Sequence, residues 1–149
     1  MSYSSMAPDV WDPSFESDPD SMLSSDQCVI KDQHFFIRGL VEIPVIGSED
    51  VFSWGVWVSL SRDNFARALE VWNTEGREAE KPYFGWLSTE LALYSESTTN
   101  LKTNAHTRPV GQRPFIELEP TNHPLAVEQR TGITRDRVRE IAMAVLHRA

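Results

Sequence analysis

Between Phe52 and Leu60 the chain alternates with a period of two residues. Phe52, Trp54, Val56, Val58 and Leu60 are apolar, and Ser53, Gly55, Trp57 and Ser59 lie between them. Extended backbone sends successive side chains to opposite faces, so this run predicts a half-buried antiparallel strand with its large-residue face toward a core. Trp57 breaks the small-residue face. Burial is the ordinary fate of a tryptophan, yet aromatics also anchor protein interfaces. Trp57 is therefore a candidate interaction residue.

The flanking segments read in the same way. Cys28-Val29-Ile30 is a short apolar burst followed by a turn at Lys31-Asp32-Gln33. Phe35, Ile37, Val41 and Ile43 then share one face, with Arg38 and Glu42 on the other, and Gly39 suggests a β-bulge. Ser61 is placed to cap a helix striped by Phe65, Ala68, Leu69 and Trp72. A polar loop with Gly76 and Pro82 leads to Tyr83-Phe84-Gly85-Trp86-Leu87, an aromatic knot expected to pack into the core. Leu101 to Thr107 reads as a polar strand, and Pro109, Gly111 and Pro114 bend the chain into another at Phe115 to Leu118. A short helix over Pro124 to Arg130 precedes a longer one capped by Thr134 and striped by Val138, Ile141, Ala142, Val145 and Leu146. The pattern predicts one α+β domain over residues 26–149, a mainly antiparallel sheet with a mid-chain helix and a C-terminal amphipathic helix packed on it.

Charge separates the start of the chain from the rest. Residues 1–26 hold six of the 22 acidic residues and none of the 14 basic ones, so most of the net charge of −8 sits there. With Pro8, Pro13, Pro19 and many serines, residues 1–25 are expected to form an acidic, flexible leader. Trp11, Phe15, Met22 and Leu23 would also let it dock as a strap or meet a partner, and Trp11 is the second candidate interaction residue. Net acidity argues against binding nucleic acid through phosphate neutralisation. No apolar run is long enough for a membrane-spanning helix, and the N-terminus lacks the basic-then-apolar order of a signal peptide. The single cysteine excludes an internal disulfide framework. A cytoplasmic protein is expected.

Recognisable enzyme signals are absent. His34, His106, His123 and His147 lie far apart, with no metal-ligand spacing, and no phosphate loop, dinucleotide fingerprint or Gly-x-Ser-x-Gly occurs. No metal or cofactor is expected. The most suggestive feature is a polar row: in an extended strand Lys102, Asn104, His106 and Arg108 share a face, and Arg113, Glu117 and His123 follow. Arginine offers a bidentate fork to an anion and histidine a titratable partner. Lys102, His106, Arg108, Arg113, Glu117 and His123 are therefore candidate ligand-binding residues. The competing explanation is that the solvent face of an antiparallel sheet must be polar anyway.

Several successive blocks resemble one family. They include His34-Phe35-Phe36-Ile37-Arg38-Gly39, Trp54-Gly55-Val56-Trp57-Val58-Ser59-Leu60, Phe84-Gly85-Trp86-Leu87, Gly111-Gln112-Arg113-Pro114 and His123-Pro124-Leu125-Ala126-Val127-Glu128-Gln129-Arg130. From about Asp26 to His147 the chain is similar to the uncharacterised bacterial domain-of-unknown-function family number 2199. The resemblance implies a small bacterial, cytoplasmic protein and no established activity. Members of that family commonly open with a Cys-x-x-Cys element suited to zinc. This chain opens Met1-Ser2-Tyr3-Ser4-Ser5, so the zinc expectation does not carry over.

Two functional expectations follow. The first is a non-enzymatic interaction protein whose acidity suits a basic protein partner, a profile shared by bacterial immunity proteins. The alternative is a small-molecule or anion site, hydrolytic in its strongest form, built from the His, Arg and Glu residues above.

Overall fold

The computed structural model describes residues 1–148. Among the described residues, eight strands and three α-helices make up the fold. The strands are β1 (Ser2–Ser4), β2 (Met22–Leu23), β3 (Gln27–Ile30), β4 (His34–Pro44), β5 (Val51–Leu60), β6 (Tyr83–Leu87), β7 (Lys102–His106) and β8 (Phe115–Leu118). The helices are α1 (Arg62–Glu70), α2 (Pro124–Thr131) and α3 (Arg135–Arg148). The α+β class is as expected.

The sheet differs from the expectation. β4 to β8 pair in sequence order, and β4 then meets β8 in parallel at Leu40 and Phe115, closing a five-stranded barrel. β1 also runs parallel to β5, so the sheet is mixed rather than mainly antiparallel. Residue periodicity reveals a strand and its faces but not its partner, and closure joins strands about 75 residues apart. Nor does Gly39 mark a bulge, because the β4–β5 register runs through it unbroken, Gly39 opposite Val56. Gly39 is instead where β8 comes closest: a Cβ there would lie 2.6 Å from Ile116 Cδ1 and 2.8 Å from the Pro114 carbonyl oxygen. Closure on that side is narrow, and α2 reinforces it. The Gln129 amide accepts from Leu118 N at 2.8 Å and donates to the Ile116 carbonyl at 2.9 Å.

The inward residues of all five barrel strands form one core, with Ile37, Val41, Val56, Val58, Leu87, Ala105 and Ile116 nearly or wholly enclosed. Helix α1 adds Phe65 and Ala68, α2 adds Leu125 and Ala126, and α3 adds Ile141. The caps are those the residue types suggest: Ser61 accepts from Asn64 N, and Thr134 accepts from Arg137 N. The C-terminal stripe is narrower than its apolar residues imply, since Leu146 is exposed.

Residues 1–25 lie along the barrel as a strap. β1 occupies the edge of β5 opposite Ser53 to Gly55, a 3₁₀ turn forms at Pro13–Ser17, and β2 pairs with β3. Trp11 and Phe15 pack edge to face, 5.5 Å apart, on a second apolar cluster of Cys28, Ile30, Phe36 and Trp57 on the outer side of the sheet. Composition favours a loose coil here, but these two aromatics supply the apolar surface that holds the strap down. Among the described residues no helix is long and apolar enough to cross a membrane.

Candidate functional site

Three surface regions gather the functional residue types. The first is the outer face of β6, β7 and β8. Strand alternation turns Tyr83 and Leu87 inward and Phe84 and Trp86 outward. The aromatic knot is thus only half core, and Phe84 and Trp86 are 45% and 41% exposed, packed edge to face at 5.2 Å. Across the strand pairs, Trp86 faces Lys102, whose ammonium lies 5.8 Å from the indole, and Phe84 faces Asn104. His106 Nε2 lies 3.0 Å from Glu117 Oε1 on the same open face.

The second region is an apolar groove of about 440 Å³ between the strap and the barrel. Val10, Phe15, Ile30 and Phe36 line it together with Lys31, His34 and Ser59. Ser59 is the register partner of Trp86, so the groove borders the exposed aromatic pair. The strap is fastened here by Asp9, whose backbone N–H donates to the Ser88 carbonyl and whose carboxylate accepts from Glu90 N. Burial pushes the Asp9 carboxyl up. The strap carboxylates Asp12, Glu16, Asp18 and Asp20 form no ion pair among the described residues.

The third region is a cleft of about 510 Å³ lined by Asp26, Leu40, Trp72, Arg77, Arg108 and Arg113, among others. Arg77 is buried and gives its guanidinium entirely to backbone carbonyls, those of Trp72, Arg108, Pro109 and Gln112, at 2.7 to 3.1 Å. It fixes the loop that carries Arg108 and Arg113. Arg108 grips Glu42 with both terminal nitrogens, and Arg113 Nε donates to Asp26 Oδ1 at 2.8 Å. Behind this wall Arg38, only 5% exposed, reaches the Ser25 carbonyl and the Ser4 hydroxyl, and its Nε has no partner. Burial, and then the charge of Arg113, push the Arg38 guanidinium down.

The six residues singled out in sequence therefore fall into separate places. Lys102, His106 and Glu117 share the open barrel face. Arg108 lies beyond the end of β7 and joins Arg113 in the cleft, which splits the expected row. His123 is buried and caps α2: its Nδ1 accepts from Leu125 N, and its Nε2 lies 3.1 Å from the Ser97 carbonyl. It shares no partner with the other five among the described residues. Trp57 is wholly enclosed, its indole N–H donating to the Ser5 carbonyl at 3.1 Å, so it has no face to offer a partner while the strap is in place. Trp11 is half-buried beside the groove. The Cys28 thiol is pushed up to about 12 by burial. Sequence reasoning passed over Arg38, Arg77 and Asp26 as site residues; the only available signal was the number of arginines in a chain of net negative charge.

No group of three His, Cys, Asp or Glu side chains among the described residues could hold a metal ion. A family model matches residues 1–133, and its description is an uncharacterised protein conserved in bacteria, DUF2199. The chain belongs to this family. The matched span includes the strap as well as the barrel, which the resemblance by blocks placed only from about Asp26 onward. Neither the curated proteins nor the solved structures hold a match to this DUF2199 chain.

Proposed function

We propose that this DUF2199 protein is a non-enzymatic binding protein whose partner is a basic protein, held on the face that strap and barrel form together. The observation that carries this reading is the coincidence of two features. Asp12, Glu16, Asp18 and Asp20 form no ion pair among the described residues, and the strap that carries them also supplies Val10 and Phe15 to a groove whose Ser59 is the register partner of the exposed Trp86. Aromatic anchors supply desolvation energy, and unpaired carboxylates steer a cationic surface toward them. The hydrolytic alternative needs a titratable pair and an anion fork in one pocket. His106–Glu117 and Arg108–Arg113 lie in different regions, so the geometry favours binding.

The test is capture from lysate of a bacterium carrying the protein, at about 50 mM and about 500 mM salt. Wild type is compared with the variant D12N/E16Q/D18N/D20N, whose amides keep the local hydrogen bonds. A stoichiometric basic protein should be retained by wild type at low salt, released at high salt and lost by the variant. Equal retention by the variant, or a retained protein that is not basic, would refute the reading.

A further inference from the structure

The cleft holds an excess of positive charge that the chain as a whole does not. Arg38, Arg77, Arg108 and Arg113 gather at it or directly behind it, and the carboxylates that meet them are Asp26 and Glu42. Four guanidinium groups against two carboxylates leave two positive charges locally, in a protein whose net charge is −8. Concentrating like charges in a part-buried site is costly unless something repays it. One detail points outward to a ligand, since the unpartnered Nε of the buried Arg38 lies behind the lining rather than in it. Arg113 is held by Asp26 through Nε, so its two terminal amino groups, the edge that forks an oxyanion, make no hydrogen bond among the described residues. Trp72 supplies a flat apolar wall.

We propose that the cleft is a binding site for a small dianion, a phosphomonoester or a dicarboxylate, gripped by the terminal nitrogens of Arg113 and neutralising the excess charge. Asp26 and Glu42 hold the Arg113 and Arg108 planes in place, so the site is formed before the ligand arrives. This site lies apart from the strap and groove and does not depend on the partner proposed above.

The test uses the full chain, with inorganic phosphate and succinate as probes and sodium chloride matched for ionic strength. Thermal melts and calorimetric titration are run on wild type, Arg113→Gln and the surface control Arg62→Gln. Arg113 is partly exposed and its pairing with Asp26 contributes little to stability, so Arg113→Gln should fold. With the anion at about ten times its Kd, wild type and Arg62→Gln should melt about 3–6 °C higher, and Arg113→Gln should lose that rise. A stronger response to phosphate assigns a phosphomonoester and a stronger response to succinate a dicarboxylate. Either outcome upholds the site. A response to neither anion beyond that to chloride, or an equal rise in Arg113→Gln, would overturn it.

Discussion

Replacing Arg77 by methionine tests whether the cleft wall is held by one side chain. Arg77 is 7% exposed and its guanidinium makes four hydrogen bonds, to the carbonyls of Arg108 (2.7 Å), Trp72 (2.9 Å), Gln112 (2.9 Å) and Pro109 (3.1 Å). A hydrogen bond from a charged donor contributes about 1.5–3 kcal/mol net, so four would nominally sum to about 6–12 kcal/mol. Two effects reduce that figure. The loop carbonyls border an open cleft where water can replace the lost donors, and methionine removes the desolvation cost of a buried cation. The expected loss is about 3–5 kcal/mol, or about 6–20 °C in Tm for a chain of this size. Arg77→Lys keeps the charge but presents three donors from a single point rather than a planar fork, and should recover about half of the loss. Urea unfolding followed by tryptophan fluorescence measures both variants. A loss below about 1 kcal/mol in Arg77→Met at unchanged m would show that the loop does not depend on Arg77. An Arg77→Lys variant as stable as wild type would show that charge, not the fork, is what matters.

Two further outcomes are expected. Gly39→Ala should cost about 1–3 kcal/mol, because its methyl group would meet Ile116 and the backbone oxygen of Pro114, which cannot move as a flexible side chain would; wild-type stability in thermal melts would contradict the tight β4–β8 closure. Hydrogen bonds from Arg67, then Tyr83, hold the Glu80 carboxyl down at about 2, below its ordinary 4.5, so its contribution is present above pH 4.5 and lost as the pH falls toward 2. The urea midpoint of wild type should exceed that of Glu80→Gln at pH 7, and the two should converge across that window; a constant gap would refute the assignment.

Local structure was largely legible in the residues. The alternation from Phe52 to Leu60 is β5, and the Ser61 and Thr134 caps begin α1 and α3. The turn at Lys31-Asp32-Gln33 joins β3 to β4, with Lys31 and Asp32 in the left-handed region. What could not be read was pairing over distance. Gly39 looks like an interruption until Ile116 and Pro114 are brought beside it. The outward turn of Phe84 and Trp86 follows from strand alternation, but two large aromatics argue for burial on hydrophobicity alone. The cleft was half visible. Arg108 and Arg113 lie close together around a turn, whereas their carboxylate partners, Glu42 and Asp26, come from the other end of the chain. Charge balance within a site is a property of the assembled fold, and a sequence row cannot display it.

The edge of β5 has a consequence for how the molecule behaves in a crowded solution. β6 pairs only with the last part of that strand, from Val58 to Leu60, so its earlier half would present unsatisfied N–H and C=O groups. The strap fills the gap with β1, which runs so close that a Cβ on Gly55 would lie on top of Ser4. A chain clipped within its first few residues would expose a ready template for a strand of a neighbouring molecule. It would lose Tyr3 from the margin of the main core but none of that core's buried residues, so the damage would show as clustering before unfolding. The acidic start of the chain therefore guards solubility twice, by occupying the edge and by keeping like-charged molecules apart.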